Sequence, residues 1–176
     1  MPFILLVAGP NGAGKTTFAR RLSALRPEAV FVNADEAVQE LPEELGSARN
    51  FGAGRIAISR LNGLIEAGSD IILETTLAGR TYLAAIPRWR ARGYDIDLYY
   101  LRLSSVQASL ERIRRRVAAG GHDIPEVDAR RRFGRSLAGF EVYKRLVDAW
   151  YLYDSLEGDF DLVVAGEQHE PKTDSD

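Results

Sequence analysis

Short runs of aliphatic and aromatic residues alternate along this chain with longer segments whose apolar residues recur at helical spacing. The runs predict five β-strands, at Phe3–Ala8, Val30–Asn33, Ile71–Glu74, Ile96–Leu101 and Phe160–Val164. The longer segments predict helices at Lys15–Ala24, Ala48–Ala67, Tyr82–Arg92 and Ser105–Ala119, and two helical pieces between Pro125 and Ser155. Strands that alternate with helices favour an α/β fold, here a five-stranded, mainly parallel sheet flanked by helices.

The composition is that of one globular domain. The 176 residues are 45% hydrophobic and 27% charged, which is enough to build a single core. We expect this domain over residues 1–165 and a polar, disordered tail over 166–176. The formal net charge of −2 gives no reason to expect nucleic acid as a partner. The lack of cysteine excludes disulfides and thiolate metal sites, and no apolar run has the length of a membrane span, so we expect a cytoplasmic protein.

The most specific motif lies between the first predicted strand and the first predicted helix. Residues 9–16 read GPNGAGKT and match G-x-x-x-x-G-K-[S/T], in which backbone N–H groups surround the phosphates of a nucleotide. We expect Lys15 to contact the β- and γ-phosphates of ATP and Thr16 to bind Mg²⁺. The predicted ATP-binding residues are Gly9, Pro10, Asn11, Gly12, Ala13, Gly14, Lys15, Thr16 and Thr17.

This loop alone leaves several reaction classes open, because ABC transporter ATPases have the same loop sequence. An ABC domain would also carry an LSGGQ-like segment and an Asp-Glu pair after a long apolar strand, and the sequence has neither. A GTPase would carry an N-K-x-D-like segment that reads guanine, and the sequence has none. A small-molecule kinase with a P-loop fold is therefore the leading class.

Polar residues follow the second and third predicted strands, at the sheet edge where α/β proteins bind ligands. Asp35 comes just after the second strand and is the candidate base that accepts the proton of the attacking hydroxyl, or else a helix cap. Glu74, Thr76 and Arg80 follow at the third strand as candidate substrate-binding residues. Glu74 could accept hydrogen bonds from the substrate, hold Mg²⁺ through water, or act as an ordinary capping carboxylate.

The segment after residue 105 predicts a helical lid. Arg112 and Arg116 are four residues apart and share a helix face, and Gly120 and Gly121 supply a hinge. Lid arginines can stabilise a phosphoryl group during transfer, so Arg116 is a candidate catalytic residue, with a solvated helix face as the alternative. His122 could donate to a phosphate or fix the loop.

The segments NADE, ILETTLAGR and RVAAGGHDIPE, together with the phosphate loop, resemble the zeta toxin family of P-loop kinases, especially its short branch often labelled predicted ABC-type ATPase. The resemblance runs from Phe3 to about Asp154. It implies ATP-dependent phosphorylation of a hydroxyl, in characterised zeta toxins that of UDP-N-acetylglucosamine, and an epsilon-type antitoxin as partner.

The resemblance also implies roles for individual residues. Lys15 corresponds to the P-loop lysine, Asp35 to the catalytic base, and Arg116 or Arg112 to a phosphate-clamping arginine, while Glu74, Thr76 and Arg80 correspond to the substrate-side residues. Two local features depart from the well-studied toxins: Arg80 lies four residues beyond Thr76 rather than two, and GGH stands where those toxins have an arginine. The chain also lacks the extra helices of the larger toxins. Because of these departures, the resemblance does not fix the identity of the phosphate acceptor.

Three functions therefore compete. The first is an ATP-dependent kinase acting on a small hydroxylated acceptor, with UDP-N-acetylglucosamine as the leading candidate. The second is a nucleotide-gated ATPase or binding module, which would not require Asp35 and the arginine lid. The third is a polynucleotide or nucleoside kinase; the near-neutral charge gives no basic track for a nucleic acid strand.

Overall fold

The computed structural model describes residues 1–33, 58–121 and 123–167. Its strands are β1 (Phe3–Ala8), β2 (Val30–Asn33), β3 (Ile71–Thr75), β4 (Asp95–Arg102), β5 (Ala149–Ser155) and β6 (Phe160–Glu167). Its helices are α1 (Lys15–Leu25), α2 (58–66), α3 (Ile86–Arg90), α4 (Val106–Ala118) and α5 (Glu126–Tyr143).

The strands form one sheet in the order β2-β3-β1-β4-β5-β6. The first five are parallel, and β6 runs antiparallel to β5. This confirms the α/β class and the mostly parallel sheet, with six strands instead of five. In the register, Ala8 pairs with Thr75 on β3 and with Tyr100 on β4, so β1 ends between its neighbours and delivers the phosphate loop to the carboxyl edge of the sheet.

The prediction was wrong between Pro125 and Ser155. One continuous helix, α5, occupies residues 126–143, and Ala149–Ser155 is a strand instead of a second helical piece. The aromatic residues of AWYLYDS favour a strand, because such side chains pack well on a pleated surface. The predicted helix at Tyr82–Arg92 is also shorter, since only Ile86–Arg90 is α-helical. At the other end, β6 extends to Glu167, two residues past the expected domain boundary, and the rest of the predicted tail lies outside the described residues.

Two apolar cores lie on the two faces of the sheet. On one face, α2, α3 and α5 cover Ile4, Leu6, Ile71 and Leu98, all of which are fully or almost fully buried. On the other face, α1 packs against β1, β2 and β3. Each buried aliphatic side chain contributes about 1.5–3 kcal/mol, which fixes the sheet and hence the position of the loop.

Helix α5 is held at short distance from the loop that follows β3. A Cβ added to Gly139 would lie 2.4 Å from the carbonyl oxygen of Leu77, so only glycine permits this approach. Tyr143 donates a hydrogen bond to the Gly79 carbonyl at 3.3 Å, and the hydroxyl of Ser136 lies 3.0 Å from that of Tyr100 on β4. Among the described residues, none of the helices combines the length and apolarity that a membrane span requires.

Candidate active site at the phosphate loop

The loop between β1 and α1 has the conformation that its glycines permit. Gly9, Gly12 and Gly14 have φ values of 147°, 80° and 77°, which side-chain-bearing residues rarely adopt. A Cβ added to Gly9 would lie 2.4 Å from the Leu101 carbonyl oxygen, so β4 presses directly on the loop. Gly14 is the N-cap of α1, and the backbone N–H groups at the start of this helix form a site suited to anions.

Lys15 supplies the cation of this loop. Its side chain is only 7% exposed, and Nζ donates a hydrogen bond to the Pro10 carbonyl at 3.1 Å, so the ammonium group lies against the loop. A lysine in this position acts as a point charge on nucleotide phosphates.

Glu74 on β3 forms hydrogen bonds with one residue of the segment that follows β1 and with the last residue of β2. It is the fourth residue of β3, only 6% exposed, and its Oε2 accepts hydrogen bonds from the Thr16 hydroxyl at 2.9 Å and from Asn33 Nδ2 at 3.0 Å. The sheet order places β2, β3 and β1 side by side, which is why residues 16, 33 and 74 meet. A hydroxyl beside a carboxylate is a hard-oxygen donor set that fits Mg²⁺, held in part through water.

The residues after Glu74 form a tight turn. Leu77 is buried and has a φ of 52°, which is uncommon for a residue with a side chain. The hydroxyls of Thr75 and Thr76 accept hydrogen bonds from the N–H groups of Leu77 and Ala78, at 3.2 and 3.4 Å. Arg80 lies beyond this turn on the exposed surface. The structure thus holds Thr76 in the turn at the edge of the site and places Arg80 further out.

Helix α4 is docked onto the phosphate loop. The Ser109 hydroxyl donates to the Asn11 carbonyl at 2.6 Å, and Arg112 Nη1 lies 3.4 Å from the Gly12 carbonyl oxygen. Arg112 also donates to Ser155, to its hydroxyl at 2.6 Å and to its carbonyl oxygen at 2.9 Å. Arg116 lies one turn further along α4 and is exposed.

A cavity of about 320 Å³ opens between the phosphate loop, α4 and the turn that joins β5 to β6. Arg112 and Arg115 line it from α4, and Ser155 and Phe160 line it from the hairpin. The ring of Phe160 stands 5.0 Å from that of Phe18 on α1, edge to face. This cavity adjoins the loop that the sequence motif predicts to bind phosphates, so it is the candidate cavity for the nucleoside part of a nucleotide, and we call it the nucleoside cavity.

A hydrogen bond and an ion pair join the β5–β6 turn to the helices beside it. Arg21 on α1 donates to the Gly158 carbonyl at 2.8 Å, and Arg115 on α4 pairs with Glu157. Below the turn, Arg102 forms two hydrogen bonds to Asp154, at 2.8 and 3.0 Å, and these hold the pKa of that carboxyl below its ordinary value. Residues of α1 and α4 therefore contact the β5–β6 turn, which forms the outer wall of the cavity.

Comparison with known proteins identifies the family of this chain. The family model described as Zeta toxin matches residues 1–149. The chain belongs to the zeta toxin family. This confirms the resemblance that the sequence motifs indicated.

One relative and two solved structures that resemble this zeta toxin-family chain are all less than 30% identical to it. An uncharacterized protein of Haemophilus influenzae is 27% identical over 124 residues, which are 69% of this chain and 86% of that protein. The toxin-antitoxin system PezAT of Streptococcus pneumoniae contains a chain with a TM-score of 0.68 and 18% identity, and the match covers 94% of this chain and 72% of that one. The complex of AvrRxo1-ORF1 and ORF2 with ATP contains another, with a TM-score of 0.66, 16% identity and coverage of 94% and 58%. Both structural likenesses show a shared P-loop kinase fold.

The structure therefore gathers Lys15, Thr16, Glu74 and Arg112 of the predicted site residues around one loop. Asp35 and His122 lie outside the described residues, so the roles given to them stay predictions. The sequence interpretation missed Asn33, Ser109 and Ser155, which support the loop and its neighbours. Only Asn33 carried a usable signal, because it is the last residue of its strand, at the edge where the site was expected.

Proposed function

We propose that this member of the zeta toxin family transfers the γ-phosphoryl group of ATP to a hydroxyl of a small acceptor. The observation that carries the proposal is the meeting of three strand ends at the phosphate loop, where Thr16 and Asn33 donate to the same oxygen of Glu74. Binding of a nucleotide without phosphoryl transfer would require only Lys15 and the glycines of the loop. A buried carboxylate between the loop hydroxyl and the next strand end adds what transfer chemistry requires, an anchor for the metal and for the acceptor.

The residues divide into two groups by position. Lys15 and the backbone of the loop would hold the phosphates of ATP, and Thr16 and Glu74, whose side-chain oxygens lie 2.9 Å apart, would hold Mg²⁺. The metal, when bound, neutralises charge on the β- and γ-phosphate oxygens. Asp35 follows two residues after Asn33, and we assign it the role of general base for the acceptor hydroxyl. Arg112 and Arg116 are the candidate cations for the charge that spreads over the migrating group.

For the acceptor, a nucleotide sugar is the leading candidate, with UDP-N-acetylglucosamine first. Membership of the zeta toxin family supports this choice. We assign Thr76 and Arg80 to the acceptor side, because both follow Glu74 on the side of the site away from the nucleoside cavity. An antitoxin is the proposed protein partner, since two of the structural neighbours come from the PezAT toxin-antitoxin system and from a complex of AvrRxo1-ORF1 with ORF2.

A mass-spectrometric acceptor screen tests the proposal. The purified protein is incubated with ATP and Mg²⁺ and with nucleotide sugars or nucleosides in turn, and each acceptor is examined for the gain of one phosphate. We expect a phosphorylated nucleotide sugar that disappears with Lys15→Ala, because that change removes the cation at the β- and γ-oxygens. A phosphorylated nucleoside in its place would overturn the choice of acceptor. ADP formation that no acceptor increases would favour the nucleotide-gated ATPase.

A further inference from the structure

The sheet carries an apolar surface on the α1 face, away from the phosphate loop. The strand registers place Tyr99, Tyr151 and Ala165 in one row across β4, β5 and β6, and Leu101, Tyr153 and Leu162 in the next row. The rings of Tyr99 and Tyr151 are stacked, with centroids 4.8 Å apart. We call the partly or fully exposed members of these rows, Tyr99, Tyr151, Tyr153, Leu162 and Ala165, the tyrosine face.

Little of the described chain covers the tyrosine face. Helix α1 packs against β1, β2 and β3, and its ring contacts with the face come from Phe18, which lies 5.8 Å from Tyr99 and 5.1 Å from Tyr153. Helix α5 contacts β5 from the opposite side, where Phe140 meets Trp150. Leu162 is 54% exposed as a result. Mainly parallel sheets are normally covered by helices on both faces, so an open area over β4 to β6 indicates that a cover comes from elsewhere.

An acidic row borders this apolar surface. In the register, Asp97 and Glu167 flank Ala149 on the same face, with one small side chain between the two carboxylates. Burial raises the pKa of Asp97 to about 6, with help from the negative charges of Asp148, Asp95 and Glu167. A cation above Ala149 would lie beside Asp97 and relieve the repulsion that the neighbouring negative charges exert on it.

The composition of residues 168–176 does not match this surface. Residues 168–176 follow β6 directly, but they include Glu170, Asp174 and Asp176 with Lys172 as the one lysine, and no large apolar side chain. A segment of this composition is neither apolar nor basic. Of the described elements that border residues 34–57, β2 lies at the opposite edge of the sheet and α2 lies on the other face.

We propose that the tyrosine face docks a helix of a partner protein, with a lysine or arginine of that helix over Ala149 and apolar side chains over Tyr151 and Leu162. The dimensions agree with this occupant. Successive rows on the face are about 7 Å apart along the strands, and residues i, i+4 and i+8 of a helix are about 6 Å apart along its axis. One basic and two apolar residues at that spacing match an acidic row followed by two apolar rows. Exposed tyrosines are also typical anchors of protein interfaces.

Photo-crosslinking followed by binding with purified proteins tests this inference. A photoreactive amino acid replaces Ala165 or, as a control on another surface, Val127, which is 77% exposed on α5. We expect cells of the native host to yield a crosslinked protein from position 165 that is absent from position 127. The crosslinked protein is then purified, and its affinity for the full chain is measured by calorimetry at low and high salt.

The matched variants are Leu162→Arg on the face and Val127→Arg away from it. Leu162→Arg and Asp97→Lys should each weaken binding at least tenfold, and Asp97→Lys should also reduce the dependence on salt, because it removes one of the two carboxylates. Val127→Arg should change the affinity less than twofold. Ala165→Lys replaces Leu162→Arg if that variant loses its circular dichroism spectrum.

Several results would overturn the inference. The first is no crosslink from position 165, and the second is a partner whose affinity is the same for both arginine variants. Crosslinking to residues 168–176 of the same chain, or a dimer of this chain by light scattering that Leu162→Arg dissociates, would assign the face to another occupant. Because these readouts do not involve ATP, they are independent of the proposed phosphotransferase activity.

Discussion

Replacement of Arg112 by alanine should weaken ATP binding by about 30-fold. The guanidinium joins α4 to the β5–β6 turn through hydrogen bonds of 2.6 and 2.9 Å to Ser155, and it lies 3.4 Å from the Gly12 carbonyl oxygen. With about 1 kcal/mol for each of the two shorter bonds in this half-exposed position, the loss is about 2 kcal/mol. Without these bonds the wall of the nucleoside cavity must be ordered when ATP binds, and the apparent affinity falls in proportion to the competent fraction.

Arg116→Ala is the matched control, since Arg116 lies on the same helix one turn away and is exposed. Calorimetric titration with ATP and Mg²⁺ gives the affinities, and thermal unfolding followed by circular dichroism shows that both variants are folded. If Arg116 is the catalytic lid arginine that the sequence predicts, its loss should lower kcat with little change in ATP affinity. Equal ATP affinity in the parent and in a folded Arg112→Ala variant would refute the anchoring role of Arg112.

Three further changes test other parts of the account. Gly9→Ala should abolish ATP binding in a titration, because its Cβ would lie 2.4 Å from the Leu101 carbonyl oxygen; binding at parent affinity would contradict the loop geometry. Asn33→Ala should raise the Mg²⁺ concentration required for half-maximal turnover several-fold, since Glu74 loses a donor that orients it, and an unchanged requirement would contradict this positioning. Asp97→Asn should stabilise the protein at pH 7.5 by about 1 kcal/mol after allowance for solvent screening, measured by denaturant unfolding. The pKa of Asp97 in the folded protein, about 6, lies above its ordinary value of 3.8, so the charged carboxylate destabilises the fold above pH 6. The stability gained with Asp97→Asn should therefore disappear as the pH falls to about 4. An equal gain in stability at pH 7.5 and at about pH 4 would contradict the raised pKa.

The parts of the fold that the sequence predicted correctly depend on local signals. The strands β1 and β2 have the predicted bounds because apolar runs are bounded there by glycine, proline and polar residues. Strand β5 was missed because the segment from Pro125 to Ser155, which contains Gly134 and Gly139, was interpreted as two helical pieces. In the structure α5 continues through both glycines, since Gly139 is required by close contact with Leu77, a contact between residues 62 positions apart.

The same distinction applies to the site. The loop from Gly9 to Thr16 is a contiguous motif, so its position and conformation followed from the sequence. The hydrogen bond from Ser109 to Asn11 and those from Arg112 to Ser155 join residues 98 and 43 positions apart. Such contacts depend on the order of strands in the sheet, above all on β5 lying next to β4, which the sequence interpretation did not include.

The proposed phosphotransferase activity requires that each ATP consumed phosphorylates one acceptor molecule, and a stoichiometric measurement with γ-³²P-labelled ATP tests this requirement. Labelled acceptor, free labelled phosphate and ADP are counted in one reaction with the nucleotide sugar, for the parent and for Lys15→Ala. We expect about one labelled acceptor for each ADP, little free phosphate, and neither product with Lys15→Ala. Free phosphate equal to ADP, with no label in any acceptor, would contradict phosphoryl transfer and identify the protein as an ATPase.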